Sequence, residues 1–177
     1  MNDHNLKTLV SAEEIQKRVV KLAQEIDDQC KAKNIESLLL VGILRGAFIF
    51  MADLTRHLKT PHIVDFMALA SYEKSRSGDV RILMDTREPI RNQHVLIVED
   101  IFDSGNTLNY LYRAMGEHQP ASLQTCVLVE KKRLHPTKLH QPIDYIGFEI
   151  PDVWVVGYGL DYDNQYRTLP YIAEMLR

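Results

Sequence analysis

Four consecutive apolar residues, Val95-Leu96-Ile97-Val98, run straight into a segment that carries three carboxylates, Glu99, Asp100 and Asp103. A strand with one solvated face alternates apolar and polar positions, whereas a strand covered on both faces reads as an unbroken apolar run. Val95–Val98 is therefore expected inside a sheet with structure packed on either side. Ser37–Ile43 (SLLLVGI) and Leu123–Val129 (LQTCVLV) show the same pattern. Helical patterns separate these runs. Ser11 followed by Glu14 forms a capping box ahead of Ile15, Val19, Leu22 and Ile26, which predicts a helix over about 11–32. GAFIFMADLTRHL, after Leu44-Arg45-Gly46, and Leu108–Met115 are further helical segments. His62–Ala70, Val80–Met84, Ile143–Ile150 and Val153–Tyr158 read as additional strands, and Pro120, Pro136, Pro142, Pro151 and Pro170 fall between or beyond the elements. Alternating strands and helices predict an α/β fold, with an open, mostly parallel sheet flanked by helices. In such sheets ligands bind beyond the carboxyl ends of the strands, so chemistry is sought directly after each apolar run.

A chain of 177 residues with 45% apolar content suits a single domain with a sizeable core. Its 24 Asp and Glu against 21 Lys and Arg leave a formal charge of −3. A nucleic-acid binder is expected to carry a basic surplus, so no nucleic-acid partner is predicted. Cys30 and Cys126 stand far apart, without the spacing of a zinc or redox pair. With no signal-peptide stretch in the first twenty residues and no apolar run long enough to span a bilayer, a cytoplasmic protein without membrane partners is expected.

After Val98 the sequence reads Glu99-Asp100-Ile-Phe-Asp103-Ser104-Gly105-Asn106-Thr107, opening the third helix. Clustered acids repel, and a sugar diol or a bound Mg²⁺ would relieve that repulsion. Ser104-Gly105-Asn106-Thr107 offers hydroxyl donors and free backbone N–H groups at a helix N-terminus, which is a phosphate cradle without a P-loop lysine. The plain alternative is a capped helix with Ser104 or Asp103 as N-cap. Setting the three acids aside, the remaining charges balance, so the faint acidity of the chain is equal to the charge of this one turn.

Val98–Thr107 resembles the phosphoribosyl-pyrophosphate signature of type I phosphoribosyltransferases, and GFEIPD (147–152) and VVGYGLDY (155–162) resemble their hypoxanthine(-guanine) branch. The likeness extends over nearly the whole chain. It implies one domain over 1–177, with a core at about 36–142 and a small hood from about 143–177 together with N-terminal residues. It further implies purine salvage. The phosphoribosyl group of 5-phospho-α-D-ribose 1-diphosphate would pass to N9 of hypoxanthine or guanine, giving IMP or GMP and pyrophosphate, with Mg²⁺ as cofactor. A homodimer or homotetramer is expected from the family.

The resemblance assigns Glu99 and Asp100 to the ribose hydroxyls, and Asp103, Ser104, Gly105, Asn106 and Thr107 to the 5′-phosphate. Asp103 is also the expected general acid/base beside purine N7. Lys131 matches the donor to the 6-oxo group, with Lys132 the alternative register and a solvated basic loop the plain reading. Trp154 matches the aromatic that stacks on the purine; a sole Trp in a VWVV strand otherwise reads as core. Val155 presents backbone groups to the purine edge. Leu44, Arg45 and Gly46 match the pyrophosphate loop, in which the family often has a cis peptide between the first two residues and a Lys where Arg45 stands. Arg167 matches a donor to the leaving group, against the plain reading of a surface arginine. Glu99, Asp100 and Asp161 are the implied metal contacts, and Ser71 and Tyr72 begin the implied lid. Two other readings remain: transfer to another base, such as xanthine or a pyrimidine, and a regulatory module that keeps the fold without the chemistry.

Overall fold

The computed structural model describes residues 5–71, 80–132 and 139–176. The elements are β1 (Asn5–Val10), α1 (Ala12–Ala32), β2 (Leu38–Leu44), α2 (Phe48–His57), β3 (His62–Ser71), β4 (Val80–Met84), β5 (His94–Phe102), α3 (Asn106–Gly116), β6 (Ser122–Lys132), β7 (Tyr145–Pro151), β8 (Val155–Val156) and β9 (Ile172–Leu176). The expected α/β architecture is what forms. A six-stranded sheet has the order β4-β3-β2-β5-β6-β7, parallel except for β4, and a second sheet has the order β1-β9-β8.

The unbroken apolar runs follow from two cores. Leu38, Leu40, Leu96, Val98, Cys126 and Leu128 pack with Ile15, Val19, Leu22 and Ile26 of α1 and Phe50, Met51 and Leu54 of α2. The alternate residues Leu39, Val41, Ile43, Val95, Ile97 and Val127 pack with Leu108, Leu111, Tyr112 and Met115 of α3. The α1 capping box forms as expected, with Ser11 and Glu14 each bonding the other's backbone, a device that contributes about 1 kcal/mol.

Several boundaries differ from the sequence reading. β5 continues to Phe102 because Glu99, Ile101 and Phe102 stay in parallel register with Val127, Val129 and Glu130, so Glu99 and Asp100 lie on the strand and only Asp103 lies beyond it. β7 is hydrogen-bonded to β6 up to Lys132↔Pro151, which carries the large sheet well past residue 142. Pro151, expected outside the strands, is the last residue of this edge strand, where a missing N–H costs no ladder bond. The expected strand Val153–Tyr158 shrinks to Val155–Val156, since Gly157 and Tyr158 turn to positive φ. β1 and β9 were not anticipated as strands. The expected exposed loop after Ser71, including Tyr72 of the implied lid, lies outside the described residues.

Candidate active site

From β2 the chain crosses to β3 on one side of the sheet, and from β5 to β6 and β7 on the other, so the sheet reverses its winding between adjacent parallel β2 and β5. A crevice opens at the carboxyl ends of two such strands. Leu44-Arg45-Gly46 follows β2 at this point, with a cis peptide between Leu44 and Arg45, and Asp103–Thr107 follows β5.

Loop 44–46 packs against Asp100 of β5 and against Gly159. A Cβ on Gly46 would stand 1.5 Å from Asp100 Oδ2, and one on Gly159 would stand 2.0 Å from the Gly46 carbonyl oxygen. Only glycine permits either approach, and Gly159 also has φ +104°.

At the start of α3 the N-cap is Gly105, in the left-handed region at φ 74°, and no side chain caps the helix. The expected alternative of Ser104 or Asp103 as N-cap is therefore not what forms. The first-turn N–H groups of α3 receive no capping side chain, which leaves them for an anion. Ser104 and Asn106 are exposed, and Thr107 is half-buried.

Glu99 is 8% exposed, and its Oε2 has no hydrogen-bond partner. Burial pushes its carboxyl well above the ordinary range, and the charge of Asp100 adds to the effect. Burial raises Asp100 as well, against hydrogen bonds from Glu99 and the Ile101 N–H and the charge of Arg167. The Ile101 N–H donates to Asp100 Oδ1 at 2.9 Å. Both shifts disfavour the doubly charged pair, which a cation or hydrogen-bond donor would relieve.

A cavity of about 180 Å³ is lined by Asp100, Ile101, Asp103, Lys131, Trp154, Val155, Leu160 and Asp161. Lys131 enters it from the end of β6, its side chain 10% exposed, with Nζ 3.4 Å from Asp103 Oδ2 and 3.7 Å from Asp152 Oδ1. Lys132 points elsewhere, 67% exposed and paired with Glu149 at 2.5 Å. Trp154 is not core: it is more than half exposed and meets Tyr162 edge to face, ring centroids 6.0 Å apart. Val155 is buried on β8.

Arg167 is not an ordinary surface arginine. Its side chain is 17% exposed, bonded to Asp161 Oδ1 at 2.6 Å and to the Gly159 carbonyl at 2.7 Å. Asp161 Oδ2 accepts the Asn164 N–H at 2.8 Å, and Asn164 Oδ1 accepts from Arg45 at 2.6 Å. Loop 44–46 and loop 161–167 are thereby tied across the crevice.

Among the described residues, Glu99, Asp100 and Asp161 do not converge into a three-ligand cage. The orphaned Glu99 oxygen and the raised acid pair still fit a hard dication of the Mg²⁺ type, which takes one or two carboxylates and completes its shell with water and phosphate oxygens.

A larger hollow of about 630 Å³ lies between α1 and the α2–β3 turn, lined by Val20, Asp27, Lys31, His57 and Thr60 among others. It is near the amino end of β3, and Asp27 there is already bonded to the N–H groups of Lys59 and Thr60. Size alone does not make it the site; the converging charges are in the smaller cavity.

Asp152 and Leu160 fall within GFEIPD and VVGYGLDY, but the sequence reading assigned neither a role. Asp152 follows the carboxyl end of β7, the same rule that located the other strand-end residues. Leu160 gave no signal, being one apolar residue in a loop.

The phosphoribosyl transferase domain family matches residues 5–163, and the chain belongs to it. Within that class the likeness narrows to the 6-oxopurine enzymes. Hypoxanthine phosphoribosyltransferase of Escherichia coli strain K12 is 43% identical over 175 residues, 98% of this chain and 97% of that protein. Hypoxanthine-guanine phosphoribosyltransferase of Dictyostelium discoideum is 42% identical over 174 residues, 96% of this chain and 94% of that protein. Among solved structures, Trypanosoma cruzi hypoxanthine phosphoribosyltransferase in complex with its product IMP superposes with a TM-score of 0.89 at 40% identity, over 99% of this chain and 96% of that one.

Proposed function

We propose that this chain transfers the phosphoribosyl group of 5-phospho-α-D-ribose 1-diphosphate to N9 of hypoxanthine and guanine, in purine salvage. The observation that carries this reading is the convergence of Asp100, Asp103, Lys131, Trp154 and Asp161 on one cavity between the ends of β5, β6 and the 155–161 loop. Full-length likeness to enzymes of that name supports it.

The reaction forms a bond from purine N9 to ribose C1′ as the C1′–O bond to diphosphate breaks, so positive charge grows on the sugar and negative charge on the leaving pyrophosphate. Glu99 and Asp100 accept the ribose 2′- and 3′-hydroxyls, and their charge favours the cationic sugar. The uncapped start of α3, with Ser104, Gly105, Asn106 and Thr107, takes the 5′-phosphate. Lys131 donates to the purine 6-oxo group, Asp103 takes the N7 proton as N9 bonds to C1′ and gives it back only in the reverse reaction, and Trp154 stacks on the ring. Val155 presents its backbone to the purine edge. Leu44, Arg45, Gly46 and Arg167 receive the pyrophosphate, with Ser71 and Tyr72 at the start of a closing lid. Mg²⁺ would neutralise charge on the diphosphate, with Glu99 and Asp100 offering one contact and Asp161 a second, separate one. In this reading β1 and residues 152–176 form the hood, the assembly is a homodimer or homotetramer, and the enzyme is cytoplasmic, in keeping with two buried, unpaired cysteines.

Incubating the protein with Mg²⁺, the diphosphate donor and each base separately tests the reading. IMP and GMP are expected; nucleotide from uracil or orotate alone would overturn the purine assignment. Lys131→Met is expected to raise the KM for hypoxanthine about tenfold or more, the worth of one hydrogen bond from a charged group, with the donor KM within about twofold. An unchanged purine KM, or the same effect from Lys132→Met, would remove Lys131 from its role.

The acid pair makes a pH prediction. Its folded-state carboxyls lie above their unfolded values, so its stabilising contribution is complete below the ordinary carboxylate range, near about pH 4, and is lost as pH rises through the raised values. In a melting series without metal, Tm of the wild type is expected to lose ground with rising pH relative to Glu99→Gln. Added Mg²⁺ is expected to restore more at the alkaline end. Parallel curves for the two proteins would contradict it.

A further inference from the structure

The helix that follows loop 44–46 carries a carboxylate with no place in the chemistry above. Asp53 sits on α2 between core residues Met51 and Leu54, its side chain 12% exposed. It accepts hydrogen bonds from the Tyr158 hydroxyl at 2.5 Å, from Gln16 Nε2 at 3.0 Å and from Arg56. Burial works against a charged Asp53, yet these three donors outweigh it and hold the carboxyl below its ordinary value. Tyr158 is 3% exposed, and burial together with the Asp53 carboxylate raises its hydroxyl, so it stays a donor.

Tyr158 does not line the cavity, but Leu160 and Asp161, two and three residues on, do. Its backbone is at φ 49°, its N–H goes to the Leu169 carbonyl at 2.8 Å, and the Gly159 N–H goes to the Arg167 carbonyl at 2.8 Å. Gly159 lies against Gly46, and Gly46 against Asp100. Loop 44–46 is thus held from two directions. On one side it runs directly into α2, which carries Asp53; on the other it is pressed by Gly159, whose preceding residue is pinned to Asp53.

We propose that Asp53 and Tyr158 are positioning residues for the pyrophosphate half of the site. Their buried hydrogen bond sets the distance between loop 44–46 and loop 159–167, and so the width of the slot that Gly46 and Arg167 present to the diphosphate. The inference rests on assigning those two residues to pyrophosphate in the preceding section. The Asp53–Tyr158 bond reaches the slot through α2 and Gly159, whereas Lys131 on β6 is outside that chain of contacts, so the two substrates should respond differently.

The test is steady-state kinetics in both directions on the full-length protein, for wild type, Tyr158→Phe, Asp53→Ala and the double variant. Tyr158→Phe keeps the ring and removes one hydroxyl. The KM values for the diphosphate donor and for pyrophosphate are expected to rise about fivefold or more, the scale of one buried hydrogen bond, with the hypoxanthine KM within about twofold. The double variant is expected to add little to either single change, as two partners in one contact require. Asp53→Asn, which keeps an acceptor for the hydroxyl, is expected to recover most of the loss. Lower Tm with unchanged KM values would mean a purely structural bond and would overturn the proposal, as would equal rises for donor and purine. If Asp53→Ala does not fold, Tyr158→Phe against Asp53→Asn decides by the same KM comparison. A wild type inactive with every purine would instead strike the functional reading itself.

Discussion

Asp103→Asn is expected to lower kcat by about 10²- to 10⁴-fold while leaving both substrate KM values within a few-fold, the range over which a positioned general acid/base contributes. Asn preserves the shape of the side chain and one acceptor oxygen, so it can keep the contact with Lys131 Nζ, 3.4 Å away in the wild type. What it removes is the capacity to take the purine proton as the nucleotide forms and to supply it in the reverse reaction. The location suits that role. Asp103 is the first residue beyond β5, its side chain 41% exposed at the rim of the cavity, next to the lysine assigned to the 6-oxo group. Glu99 and Asp100, by contrast, are held on the strand and cannot swing. Steady-state rates for IMP formation check the point, and a variant as fast as wild type would show that the proton leaves by another route.

Gly46→Ala is expected to cost about 100-fold in kcat/KM, because ångström-scale misplacement of reacting groups carries a penalty of that size. The new methyl would overlap Asp100 Oδ2, at 1.5 Å, and its Cγ, at 2.3 Å. Asp100 has little freedom to retreat, since its Oδ1 is bonded to the Ile101 N–H and its neighbours on β5 are fixed in parallel register with β6. Either the carboxylate leaves the ribose or loop 44–46 leaves the pyrophosphate. Gly46 has no positive φ, so alanine meets no backbone strain there. Tm should therefore fall far less than activity. A variant with normal kinetics and an unchanged Tm would mean that the loop yields freely.

Much of this was legible in the residues because local chemistry and global fold agree. The double-faced strands announce themselves as apolar runs, Ser11 and Glu14 mark the start of α1, and the acids beyond Val98 stand where a parallel sheet presents its ligands. Other features depend on partners distant in sequence. Asn5–Val10 is largely exposed and shows no alternation, and Ile172–Leu176 carries an acid at its centre; the first becomes a strand by pairing with the second, and the second by pairing with both β1 and β8. The length of β5 was misread because Glu99 and Asp100 are polar, while the register with β6 that keeps them extended is a property of two strands. Trp154 could not be placed by type, since an indole serves equally in a core or at the mouth of a pocket. Asp53 looked like one more acid on an amphipathic helix. Its partner hydroxyl is more than a hundred residues away in sequence.

The pairing of β1 with β9 bears on how the protein is made. Every strand of the six-stranded sheet lies between Leu38 and Pro151, so that layer can assemble while the chain is still being synthesised. β1 is translated before the large sheet, yet among the described residues its strand partner is β9, which follows that sheet, and β8 waits for the same strand. Until β9 is made, Asn5–Val10 and Val155–Val156 lack their strand partner. The phosphate side of the crevice can therefore form before the wall opposite it, which closes only once β9 has been made.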